Sequence, residues 1–272
     1  MTLRGIFCLD ELPVAITGAA GLLGRCHAFA VAESGGVPLL LDIDAKALKQ
    51  LSTDLADAGF SSHSWVLDTT DEKNVRDVAA EAYGLIGPIY GIVNNVAANP
   101  KMKKVGASFG RLESLSVDSW DSEHDISLKS AFLVTKYFGA QMVERGSGSI
   151  VNIASDLAVI APDHRIYSSG VYRENSPRKP LSYVSSKAAV LGISRYFATY
   201  WAPLPIRSNA LIPGSVESDQ DVSLKHELEK RIPLNRLALP NEYQGGLIFL
   251  LSAASSYMTG AELLMDGGRS AW

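Results

Sequence analysis

The chain has 272 residues, 47% of them apolar and 20% charged, with a net charge of −4. That is enough apolar material for one large buried core and one domain, and it carries no overall basic footprint for nucleic acid. Two cysteines exclude a disulfide framework, no apolar run approaches the ~20 residues of a bilayer span, and Asp10, Glu11 and Pro13 break up any signal peptide, so a cytoplasmic protein is expected.

In chain order, the apolar run at residues 14–17 leads into Thr17-Gly18-Ala19-Ala20-Gly21-Leu22-Leu23-Gly24 and a helical pattern through Phe29 and Val31. Strand, glycine turn and helix are the context a dinucleotide needs: glycine permits close backbone approach, and the helix N-terminus offers N–H groups to a pyrophosphate. The second run, 39–42, ends at Asp42, an acid placed to bond both adenosine ribose hydroxyls and to repel a 2′-phosphate. NAD is therefore preferred over NADP, although Arg25 leaves room for a phosphate. Residues 45–58 and 72–83 place Leu48, Leu51 and Leu55, then Val75, Val78, Ala79 and Ala82, at helical spacing, and 64–67 lies between them as a strand.

A strand at 89–94 is followed by an irregular stretch, 97–115, holding Lys101, Lys103 and Lys104. The longest helical candidate is 118–143, with Ser116 or Asp118 as its N-cap and Gly146 beyond its end. A strand at 149–153 precedes Ser155 and a second irregular stretch, 158–180. Tyr183 and Lys187 then stand four apart, on one face of a helix, where an ammonium near the phenol would favour a phenolate able to accept a proton. Strands at 206–212 and Glu262–Met265 close the series. The alternation predicts an α/β fold, a doubly wound parallel sheet of Rossmann type with helices on both faces, whose ligand crevice lies at the carboxyl ends of the strands. No metal site is expected, because the histidines are scattered without ligand spacing.

Taken together, these pieces resemble the short-chain dehydrogenase/reductase family from about Val14 to Gly268. The matching residues are the Thr17–Gly24 turn, Asp68, Asn94-Asn95-Val96-Ala97, Ile150-Val151-Asn152-Ile153-Ala154-Ser155 and Tyr183 with Lys187. Pro213-Gly214 with Val216 and Ser218, Tyr257-Met258-Thr259-Gly260 and Asp266-Gly267-Gly268 complete the match. The resemblance implies hydride transfer between a nicotinamide cofactor and a secondary alcohol or ketone. It implies that Asp68 meets adenine, Asn94 shapes the cofactor floor and Val216 contacts the nicotinamide amide. Ser155 would hold the substrate oxygen, Tyr183 would act as acid and base, and Lys187 would lower the tyrosine pKa while binding the nicotinamide ribose.

Three departures accompany the match. The Thr-Gly-x-x-Gly-x-x-Gly spacing belongs to the family's extended, nucleotide-sugar-modifying branch, whereas the length and C-terminal pattern fit its compact branch. Ser127 stands where an asparagine usually anchors a proton-relay water. The interval from Ser155 to Tyr183 is about double the common one, and the added segment holds His164, Arg165, Tyr167, Tyr172, Arg173, Arg178 and Lys179.

With Lys101 and Lys103, Arg165 and Arg173 make candidate contacts for an anionic, sugar-like substrate, the alternative being solvated loop charges offset by Asp163 and Glu174. The long insertion and the closing Gly-Gly-Arg269-Ser270-Ala271-Trp272 are also similar to family members of bacterial surface-sugar and flagellar glycan pathways. Competing readings are an epimerase or dehydratase of the extended branch and a non-catalytic dinucleotide sensor. A homodimer or homotetramer is implied, joined through helices carrying Phe132, Phe138, Val190, Ile193, Phe197, Tyr200 and Trp201.

Overall fold

The computed structural model describes residues 2–98, 111–168 and 177–272. Among these, seven strands form one sheet: β1 (Pro13–Thr17), β2 (Val37–Asp42), β3 (His63–Val66), β4 (Gly91–Asn94), β5 (Gly148–Ile153), β6 (Ile206–Pro213) and β7 (Glu262–Met265). Every pairing is parallel and the order is β3-β2-β1-β4-β5-β6-β7. The direction of winding reverses between β1 and β4, which opens a crevice above their carboxyl ends.

Strand alternation explains why the sheet is covered on both faces. Val14, Ile16, Leu40, Val93, Val151 and Ile153 pack into one apolar cluster with α1 (Leu22–Glu33), α2 (Ala45–Asp57) and α8 (Gln244–Leu251). Their neighbours Ala15, Leu39, Leu41, Ile92 and Ile150 point the other way, into a cluster with α3 (Glu72–Ile86), α5 (Ser130–Arg145) and α6 (Leu181–Tyr200). Each fully buried aliphatic side chain in these layers contributes about 1.5–3 kcal/mol. Asp44 and Asp71 cap α2 and α3 by accepting from two backbone N–H groups each.

The long helix expected at 118–143 is three pieces: α4 (Val117–His124), a π-helical turn at Asp125–Lys129, and α5. Ser116 caps α4 through Ser119 N, and Gly146 ends α5 in the left-handed region at φ 77°. Two helices have no counterpart in the sequence reading, α7 (Val222–Glu229) and α8. In α8, Gly-Gly-Leu-Ile-Phe-Leu-Leu is apolar almost all round and largely buried, so no polar face marks a period. Of the aromatic and aliphatic residues expected on an outer face of α5 and α6, Phe138, Val190 and Phe197 are core, while Phe132 and Tyr200 are exposed.

Candidate active site

A cavity of about 1060 Å³ lies along the carboxyl ends of β1, β2, β4, β5 and β6. Above β1, Gly18, Gly21, Leu22 and Leu23 line it. Gly18 has φ +60°, and a Cβ on Gly24 would come within 2.0 Å of the Gly18 carbonyl oxygen, so the turn closes only with glycine at both places. Gly21 is the N-cap of α1 and makes no side-chain cap, so the first turn of that helix, through Leu22 and Leu23, stands on the cavity wall with backbone N–H groups that no cap satisfies. The turn is tied from beneath by Asn95, whose Nδ2 donates to the carbonyls of Thr17 and Gly18 at 3.0 and 3.1 Å.

Asp42 lines the cavity, with Oδ2 accepting from Ala20 N at 2.9 Å and Oδ1 from Asp44 N at 3.0 Å. Arg25 is turned away onto α2, where it pairs with Asp54 at 2.7 Å. Asp68 also lines the cavity, its Oδ1 accepting from Thr70 N and Oγ1. Asn95, Val96 and Ala97 form the wall after β4, but Asn94 lies below it: 5% exposed, it donates from Nδ2 to Thr135 Oγ1 and Asn152 Oδ1. Pro213, Gly214, Val216 and Ser218 line the opposite wall. These features fit an extended dinucleotide: an anion-binding helix end, an acid for a ribose, and a long walled floor.

Ser155, Tyr183 and Lys187 also stand on the cavity wall. The Ser155 side chain donates to Asp156 Oδ1 at 3.0 Å and accepts from Leu157 N at 3.3 Å. Burial pushes the Tyr183 phenol up to about 12, with the neighbouring Ser155 hydroxyl pulling down and the Asp156 charge pushing further up. Lys187 is buried and donates a hydrogen bond to the Ile153 carbonyl at 2.6 Å; burial, then the nearby Lys179, lowers its pKa to about 8. Lys179 also sits over the Tyr183 ring, 3.7 Å from its centre, and burial lowers it to about 8 against the charges of Asp156 and Glu123. Ser127, 3% exposed within the π turn, accepts from Ala98 N at 3.0 Å.

Two segments that pack together form a cover over part of this wall. The segment His164–Ser168 packs Ile166 and Tyr167 against Leu224, Leu228, Ile232 and Leu237, the first two of these from α7. Asp163 bonds Arg165 at 2.8 Å and Arg231 at 2.9 Å, and these cations hold its carboxyl well below the usual range. Arg165 is thus drawn onto an acid and does not line the cavity. Lys101, Lys103, Lys104, Tyr172, Arg173 and Glu174 lie outside the described residues.

Among the charged wall residues, Asp156 and Arg269 had no assigned role in the sequence, and Lys179 appeared only among the basic residues of the inserted segment. Arg269 Nη1 bonds Asp156 Oδ2 at 2.7 Å, with both side chains under 10% exposed. An acid directly after a strand-end serine is a weak signal, and nothing in the primary structure joins it to an arginine far along the chain.

Residues 18–270 match the family model described as enoyl-(acyl carrier protein) reductase. A galactitol 2-dehydrogenase (L-tagatose-forming) of Cereibacter sphaeroides is 32% identical over 283 residues, covering 100% of both chains. An NAD-dependent glycerol dehydrogenase of Listeria innocua is 30% identical over 278 residues, 98% of each chain. A gluconate 5-dehydrogenase from Burkholderia cenocepacia, solved with NADP and tartrate, superposes with a TM-score of 0.87 at 26% identity over 100% of both chains.

Proposed function

The chain belongs to the short-chain dehydrogenase/reductase family and is an NAD(P)-dependent oxidoreductase; from that premise we propose that it oxidises a secondary hydroxyl of a polyol or sugar with NAD. The observation that carries the reading is the meeting of Ser155, Tyr183 and Lys187 on the wall of the same cavity that the glycine turn lines. The relatives that act on galactitol and glycerol, and the neighbour named for gluconate, support a polyhydroxy substrate.

Gly18, Gly21, Leu22 and Leu23 would hold the pyrophosphate, Asp42 the adenosine ribose, Asp68 the adenine and Val96 the adjoining floor. Lys187 would hold the nicotinamide ribose, with Pro213, Gly214, Val216 and Ser218 against the nicotinamide. Bound there, the nicotinamide supplies the hydride acceptor or donor. Ser155 orients the substrate oxygen, and Tyr183 Oη takes the hydroxyl proton as the alcohol is oxidised or returns it as a ketone is reduced. Lys179 and Lys187 are the cations placed to favour the phenolate that this step needs. Ser127 accepts from Ala98 N through its oxygen, which leaves its hydroxyl proton available to a relay. Asp42, with Arg25 bound to Asp54, supports NAD over NADP.

An anionic sugar is the second reading. Lys179 and Arg269 on the wall favour it, whereas the bond from Arg165 to Asp163 removes one of its expected contacts. Exposed Phe132, Tyr196 and Tyr200 support a homodimer or homotetramer through α5 and α6. Free thiols at Cys8 and Cys26 accord with a reducing cytoplasm, and among the described residues no helix is long and apolar enough to cross a membrane.

The test is nicotinamide absorbance with NAD and NADP against galactitol, threitol, glycerol, gluconate and sugar phosphates, with Tyr183→Phe as control. Net turnover of a neutral polyol that vanishes in the variant supports the first reading, and turnover confined to gluconate or phosphates supports the second. Interconversion of sugars without net change in the cofactor would establish an epimerase instead.

A further inference from the structure

We propose that Asp156, held by Arg269, is a positioning residue that sets whether the Ser155 hydroxyl proton points to Asp156 or to Tyr183; this rests on Ser155 and Tyr183 being the reacting pair. The hydroxyl has one proton. A carboxylate is an acceptor only, so the 3.0 Å bond to Asp156 Oδ1 commits that proton to Asp156. With its proton there, Ser155 Oγ offers Tyr183 only an acceptor, which suits the neutral phenol, whereas the lowering of the phenol by Ser155 needs the serine to donate. For the phenolate to form with a bond from Ser155, the hydroxyl must swing its proton away from Asp156. The two arrangements exchange one hydrogen bond, and Asp156 decides which is favoured.

Arg269 makes this acid tolerable where it lies. Asp156 is 3% exposed, its other oxygen meets Arg269 Nη1 at 2.7 Å, and the guanidinium is itself 8% exposed and reaches Ser215 Oγ at 3.5 Å. While the acid is ionised, removing that partner leaves its charge unopposed beside the phenol. The pair is therefore an opposed set: the acid favours the neutral tyrosine, and the arginine moderates the acid.

Opposite effects on one measurement follow. Tyr183 is faced by Lys179 over its ring, Lys187 one turn on, Tyr167 from the cover and Asp156, with Glu123 and His164 beyond, beside Lys179. All but Asp156 keep their identity in the test variants, so they set where the profile lies and not which way it moves. Asp156→Asn removes the charge and can turn its amide toward Ser155 Oγ, freeing the serine proton for the phenolate. Arg269→Met leaves Asp156 unmoderated.

In the full-length protein, the acid limb of kcat/KM for polyol oxidation should move down by about half to one pH unit in Asp156→Asn and up by a similar amount in Arg269→Met, while Arg269→Lys returns it toward wild type. In parallel, Tyr183 labelled with 13C at Cζ, assigned against Tyr183→Phe, reports phenol ionisation by NMR with or without turnover. Opposite displacements in either readout support the proposal. Profiles that coincide with wild type, or that move the same way in both variants beside a lowered melting temperature, would overturn it and leave the pair a structural bond. If Arg269→Met does not fold, a downward shift in Asp156→Asn supports the proposal and its absence overturns it. Failure of the dehydrogenase reading looks different: wild type turns over no substrate, while the labelled tyrosine still separates the variants.

Discussion

The ammonium of Lys179 lies 3.7 Å from the centre of the Tyr183 ring, on a wall both residues share. A cation there stabilises the phenolate more than the phenol, so its removal should raise the tyrosine pKa. Lys179→Met is expected to shift the acid limb of alcohol oxidation to higher pH and to lower kcat/KM at pH 7 by roughly tenfold. An unchanged pH profile would remove Lys179 from the chemistry.

Tyr183→Phe keeps the ring and its packing and deletes the atom that exchanges the proton. Turnover should fall by about 10²–10⁴, while NAD affinity, followed by calorimetry, changes far less. Equal losses in both would mean that the hydroxyl serves binding and not proton transfer.

Asp42 accepts from Ala20 N at 2.9 Å and presents its charge where a ribose would lie. Asp42→Ala should lower kcat/KM with NAD by about tenfold and narrow the gap to NADP, because a repulsion and a ribose contact go together. Parallel kinetics with the two cofactors decide it; an unaltered ratio would place selectivity elsewhere.

His27 is fully buried in α1, and among the described residues neither ring nitrogen has a hydrogen-bond partner. Burial lowers its pKa to about 4, against 6.5 for an ordinary histidine. Between those values the unfolded chain binds the extra proton and the folded chain does not, so stability falls as pH drops through that window and levels off below about 4. The loss by its lower edge is roughly 3 kcal/mol. Urea unfolding of His27→Leu against wild type should show a gap that grows from pH 7 to pH 4.5; a constant gap would mean that the ring takes up no proton on unfolding.

Much of this was legible in the chain because it is local. The seven strands are short apolar runs bounded by turns, and Gly18, Gly21 and Gly24 stand where a strand meets a helix. Tyr183 and Lys187 share a helix face because they are four apart. The missing parts are those that proximity in sequence does not encode. Asp163 beside Arg165 is local and was legible as an offset to its charge, but the second cation on that acid, Arg231, comes from far along the chain, and Asp156 meets Arg269 only after the sheet is assembled. Asn94 was expected at the cofactor floor, yet the pleat directs it inward to Thr135 and Asn152, while its neighbours Asn95 and Val96 reach the cavity.

The π turn at Asp125–Lys129 works as a phase shifter in an otherwise continuous rod. One extra residue advances everything on the far side by about 100°. α5 keeps Leu133, Val134 and Phe138 against the sheet, while α4 aims Glu123 and His124 at Ser182 and Ser185 on the helix that bears Tyr183. Two surfaces that no single α-helical stripe could serve are thus served by one length of chain. Shortening the turn by a residue would leave both helices intact and dial one of them off its target, so this stretch should tolerate substitution far better than a change in length.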